Sequence, residues 1–181
     1  YAYFGFSGVD VFFVVSGYII HHLYREVSGF NLTFFLNRLN RIFPLYWIFT
    51  AVALIGYVLI GDQLTRTPDI SDILTSIVLV PTGTPPVLVL GWTLTHELYF
   101  YLCYGIFLMF PVRYRGFAAI AWATVTIAFT VLPYKYGSPW LDLAVSPFNL
   151  LFLGGALLAS FDAAAMRMRW LALAVAVSGM A

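Results

Sequence analysis

The run WTLTHELYFYLCYGIFLMF at 92–110 decides the fold. It matches the roughly 20 residues that a helix needs to cross about 30 Å of hydrocarbon. The run is not uniformly apolar: Thr93, Glu97, Tyr101 and Tyr104 recur at helical spacing and form one polar stripe. A carboxylate in hydrocarbon costs about 2.5–3.5 kcal/mol on insertion scales, so the stripe must face protein or a wet cavity. Glu97 lies five residues past the aromatic anchor Trp92, about 7–8 Å along the helix axis and below the outer interface.

The rest of the chain has the same character. Of 181 residues, 62% are hydrophobic and 9% charged, against about 25% charged in an ordinary soluble domain. The net charge of +1 leaves no basic surface for nucleic acid. Cys103 is the single cysteine, so no disulfide forms within the chain and no thiolate zinc site exists; no metal is expected. The fold class is an all-α, polytopic membrane bundle. Complete spans are expected at about 4–22, 42–60, 92–110, 117–132 and 144–161, with a truncated sixth from about 170. The shorter run at 73–80, followed by Pro81, Gly83, Pro85 and Pro86, reads as a short interfacial helix. No linker or repeat interrupts the series, so residues 1–181 read as one membrane domain. The opening without Met and the short last run read as a fragment cut at both ends.

Lys and Arg set the expected sidedness. The successive connections carry Arg25, Arg38 and Arg41; Arg66; Arg113 and Arg115; Lys135; then Arg167 and Arg169. This alternation places 23–41, 111–116 and 162–169 in the cytoplasm, with 61–91 and 133–143 outside. Asn31-Leu32-Thr33 is then a chance match to a glycosylation sequon.

Inside the spans the informative residues are Asp10, His96 and Glu97. The Glu97 carboxylate suits a general base or a group that orients one, and equally suits a bond to a neighbouring helix through a hydroxyl. Asp10 and Gly17 share a helix face, which the small residue marks as the packed one. His21 and His22 read as residues of the cytoplasmic helix end. Arg38 and Arg41, three apart, point the same way just before Pro44 opens the next helix. Two planar guanidiniums in one direction suit phosphate, and two topology-setting arginines would look the same.

Three runs, GVDVFFVVSGYII at 8–20, FFLNRLNRIFPLYW at 34–47 and WTLTHELYFYL at 92–102, resemble in order and separation the membrane acyltransferase-3 family. FNLLFLGGALLA at 148–159 resembles a fourth block. Members of that family acylate lipopolysaccharide, capsule, exopolysaccharide, peptidoglycan or small molecules. The resemblance implies that Arg38 and Arg41, on the family's Arg-x-x-Arg element, hold the phosphates of acyl-CoA at the cytoplasmic face. It implies that Glu97, in the Trp-x-Leu-x-x-Glu element with Trp92 and Leu94, belongs to the catalytic centre. Thr95 stands where many members have Ser, and Asp10, Ser16, Gly17 and Tyr101 are supporting positions. The family's catalytic histidine follows a basic residue at fixed spacing; the matching positions before His96, His21 and His22 are Pro85, Asp10 and Val11. That histidine is therefore expected upstream of this chain, and the 181 residues alone are expected to be inactive.

The implied activity is transfer of an acyl group, acetyl in the expectation, from cytoplasmic acyl-CoA to a hydroxyl of a carbohydrate or lipid-linked glycan in the cell envelope. Two other readings remain beside it: a transporter or flippase whose path the polar stripe lines, and a scaffold subunit without chemistry.

Overall fold

The computed structural model describes residues 2–60, 68–132 and 137–162, and among them every regular element is a helix. The elements are α1 (Ala2–Tyr24), α2 (Leu32–Ile60), α3 (Ile70–Val78), α4 (Gly91–Met109), α5 (Val112–Val131) and α6 (Pro139–Ala144). A closing helix follows over 148–162. The all-α membrane class expected from the sequence is what these helices form. Leu32–Leu59, Val112–Val131 and Pro139–Asp162 are long and apolar enough to cross a membrane, and Gly8–Tyr24 is a shorter apolar helix. That is fewer than the five complete spans expected, and α4 falls outside the set because its Thr, His, Glu and Tyr side chains dilute its apolar ones. The expected sixth span, Arg66, Lys135, Arg167 and Arg169 lie outside the described residues.

The chain divides into two compact units, one built from its two ends (1–27 with 150–181) and one from 28–149. In the first, α1 meets the closing helix at two glycines. A Cβ on Gly17 would lie 2.1 Å from the Phe152 carbonyl oxygen, and one on Gly155 would lie 1.9 Å from that of Val14. Only glycine permits such backbone contact, the small-residue packing by which membrane helices associate. The Phe13 and Phe152 rings pack alongside, with centroids 4.8 Å apart. Further along, the Tyr18 hydroxyl donates to Asp162 at 2.9 Å, and His21 Nε2 meets Ser160 Oγ at 2.9 Å. The paired residue numbers rise together, so the two helices run parallel. Gly17 and Ser16 are buried as a packed face requires, but Asp10 is exposed. It shares that face, yet lies a helical turn before Phe13, where the described contacts begin.

In the second unit, α2 buries Phe34, Arg38, Ile42, Tyr46 and Thr50, one stripe at a spacing of four. Two expectations about this helix change. It starts at Leu32 instead of about 42, because the Asn31 side chain accepts the Phe34 backbone N–H at 3.0 Å and caps it. Arg38 and Arg41 therefore sit within the helix and not in a loop. Pro44 is consequently interior, so the Asn40 carbonyl loses its intrahelical donor. Likewise α5 begins at Val112 and takes Arg113 and Arg115 into its first turn.

α2 and α4 are antiparallel: Phe34 packs on Tyr104 and Tyr101, the Phe35 ring fills the space at Gly105, and the Tyr46 hydroxyl lies against Gly91. α5 leans on α4 through Trp122, whose ring meets Tyr99, Phe100 and Phe107. α3 is too short to cross, as expected of the run at 73–80. Its terminal carbonyls take side-chain donors from its neighbours: Tyr46 Oη on Ser76 at 2.8 Å, Trp47 Nε1 on Ile77 at 3.0 Å and Thr95 Oγ1 on Leu79 at 3.4 Å. Where water is scarce, carbonyls left over at a helix end need such partners. The other end of α4 is closed by Arg115, whose Nη2 donates to the Leu108 carbonyl at 3.0 Å and Nε to that of Phe110 at 3.1 Å.

Candidate functional site

The polar stripe of α4 and the arginines of α2 meet in the second unit. Thr93, Glu97, Tyr101 and Tyr104 are all buried, so the stripe faces protein. Glu97 and Tyr101, one helical turn apart, are each 2% exposed, and the Tyr101 hydroxyl donates to Glu97 Oε1. From the facing helix, Arg38 places its Cζ 5.9 Å from the centroid of the Tyr101 ring. That is within the range of a cation–π contact, whose strength rises as water is excluded. Arg38 is itself only 8% exposed. The charges of Arg41 and Arg38 both act on the Tyr101 hydroxyl. Arg41 is exposed, so the two arginines share a direction but not an environment.

This arrangement alters the expected depths. With α4 near the outer interface at Trp92 and the arginines in a cytoplasmic loop, carboxylate and guanidiniums would lie at opposite ends of a path. The antiparallel register instead sets Arg38 and Arg41 level with Tyr101 and Glu97, because α2 is already helical at Leu32 and α4 pairs with its first half.

The remaining expected residues have other work. Thr95 donates to the Gly91 carbonyl at 3.1 Å as well as to Leu79, and so holds the end of α3 against α4. Trp92 packs on His96 and Phe148, with ring centroids 5.6 and 5.4 Å away. His96 keeps Nδ1 at 2.8 Å from the Trp92 carbonyl oxygen, and as the immediate neighbour of Glu97 it projects about 100° away around the helix. Asp10, Ser16 and Gly17 belong to the other unit. Phe34, whose ring meets that of Tyr101 edge-on, escaped notice among the site residues. Its signal was the spacing of four that joins Phe34, Arg38 and Ile42.

A buried carboxylate, a phenol bonded to it and a guanidinium over that phenol can do three things in a space shielded from water. They can hold an anion or a polarised carbonyl, orient a hydroxyl and accept its proton.

Comparison with known proteins agrees with the resemblance in the sequence blocks. The family model described as "Acyltransferase domain" matches residues 1–181. The exopolysaccharide production protein ExoZ of Rhizobium meliloti (strain 1021) is 37% identical over 117 residues, 61% of this chain and 37% of that protein. The match thus spans little more than a third of that relative's length. No solved structure matches.

Proposed function

Because this chain belongs to the acyltransferase-domain family, we propose that it is the part of a membrane acyltransferase that brings acyl-CoA, acetyl-CoA first among them, to a hydroxyl of an exported polysaccharide. The observation that carries the reading is the buried Glu97–Tyr101–Arg38 group. A membrane helix bears the desolvation of such groups where they act on something. The name of the relative, an exopolysaccharide production protein, supports a polysaccharide acceptor.

In the reaction, the acceptor oxygen attacks the thioester carbonyl carbon, and the C=O electron pair moves onto its oxygen. The oxyanion collapses, the C–O ester bond is kept and the C–S bond breaks. The hydroxyl proton passes to a base, and the CoA thiolate departs and is protonated. Glu97 serves the proton transfer, either taking the proton or orienting the group that takes it, and Tyr101 fixes the carboxylate oxygen it is bonded to. The positive charge of Arg38 and Arg41 meets the donor, a polyanion with a polarised carbonyl at its far end. The charge alternation supports a cytoplasmic face for the donor side, and the family resemblance supports acyl-CoA as donor and an inner-membrane site.

The test uses membranes containing the full-length protein, incubated with radiolabelled acetyl-CoA and the cell's exopolysaccharide. Label in ester linkage to the polysaccharide is expected, and Glu97→Gln lowers it about 10²–10⁴-fold. Translocation of the glycan without any label would favour a transporter and refute the proposal.

A further inference from the structure

Arg38 and Arg41 look equivalent as an Arg-x-x-Arg pair, and the structure separates them. Arg38 lies in the buried stripe between Phe34 and Ile42, with its guanidinium over the Tyr101 ring and 8% exposure. Arg41, about 60° around the helix and about 4.5 Å along it, is exposed. A nucleotide diphosphate is bulky, carries several charges and keeps much of its water, so it needs an open cation. The Arg38 guanidinium, buried over the Tyr101 ring, offers no such open face.

We propose that the two arginines divide the donor: exposed Arg41 takes the phosphates, while buried Arg38 donates to the thioester carbonyl oxygen and to the oxyanion it becomes. Arg38 is then a catalytic residue and Arg41 a binding residue. The Tyr101 ring holds the Arg38 guanidinium in place while its hydroxyl holds Glu97. Attack, oxyanion formation and loss of the thiolate proceed as written above, with Arg38 adding no bond and moving no proton. The division rests on the acyl-transfer reading.

The experiment compares two donors, acetyl-CoA and acetyl-pantetheine, which has the same thioester and no phosphate, with the full-length enzyme and its Arg38→Gln, Arg38→Lys and Arg41→Ala variants. Arg41→Ala should raise the KM for acetyl-CoA about tenfold or more with little change in kcat, and its defect should be about tenfold smaller with acetyl-pantetheine as donor. Arg38→Gln should lower kcat about 10²–10³-fold with both donors and leave the KM for acetyl-CoA nearly unchanged. Arg38→Lys keeps the charge without the planar fork, should recover part of kcat, and carries the test if the Gln variant does not accumulate. If Arg38 variants raise the acetyl-CoA KM as Arg41→Ala does and turn over acetyl-pantetheine normally, both arginines are phosphate ligands and the division is wrong. If the wild type does not use acetyl-pantetheine, the split between kcat and KM with acetyl-CoA decides alone. A wild type that transfers acetyl from neither donor would overturn the acyltransferase reading itself.

Discussion

Replacing Gly17 with Ala probes the contact between α1 and the closing helix. The new methyl carbon would lie 2.1 Å from the Phe152 carbonyl oxygen, and 2.8 and 2.9 Å from its carbonyl carbon and Cα. All three are backbone atoms of a helix, so no side chain can swing aside. Restoring ordinary contact at 3.4 Å requires the helices to part by 3.4 − 2.1 = 1.3 Å. A gap of about 0.5–1 Å already forfeits a quarter to a half of each dispersion contact along an interface. The Phe13–Phe152 ring pair and the two hydrogen bonds beyond it would all lengthen. A loss of about 2–3 kcal/mol is expected, the upper range for overpacking. Gly155→Ala demands a similar movement, 3.4 − 1.9 = 1.5 Å. One separation relieves both clashes, so the double variant should be less destabilised than the sum of the singles, by about 1 kcal/mol or more. Unfolding of the purified full-length protein by SDS in mixed micelles measures all four corners of the cycle. Single losses below about 0.5 kcal/mol, or strict additivity, would refute the close-packing argument.

Other outcomes follow from the second unit. Glu97→Gln keeps the shape of a fully buried side chain, so the protein should accumulate normally while acyl transfer falls about 10²–10⁴-fold, read by release of free CoA. Tyr101→Phe keeps the ring under Arg38 and removes the donor to Glu97; kcat should drop by roughly tenfold or more with the acetyl-CoA KM unchanged, whereas Tyr101→Leu should disturb both. Tyr46→Phe removes one of the two donors to the Ser76 carbonyl, the Leu79 N–H remaining, and should cost about 0.5–1.5 kcal/mol, seen as a lower thermal midpoint and faster proteolysis within 79–90. With Cys103 replaced, cysteines at Ser138 and Arg113 should be labelled by an impermeant maleimide from opposite sides of the membrane; labelling from one side would defeat the charge-alternation topology.

Much of the architecture was readable because membrane insertion acts on local properties. Apolar runs near 20 residues stand out by composition, and α1, α4 and the helix over 148–162 fall close to the expected bounds. The polar stripe of α4 was equally visible, since residues four apart share a face whatever packs against it. What misled the reading was the start of α2: Arg38 and Arg41 looked like loop charges until the Asn31 cap and the spacing of Phe34, Arg38 and Ile42 placed them inside a helix. Asp10 misled in another way, because a shared face shows direction and not where along the helix the neighbour begins.

The chain alone determined that it forms helices for a membrane, which faces of them are polar, and which family it belongs to, because those depend on residue type and spacing along one strand of sequence. Only the tertiary structure decided that Arg38 lies over Tyr101 while Arg41 stays exposed, and that both are level with Glu97. Register between two helices is set by how Phe35 fits against Gly105 and how Tyr46 meets Gly91. Such steric fits between residues far apart in the chain leave no periodic trace in it.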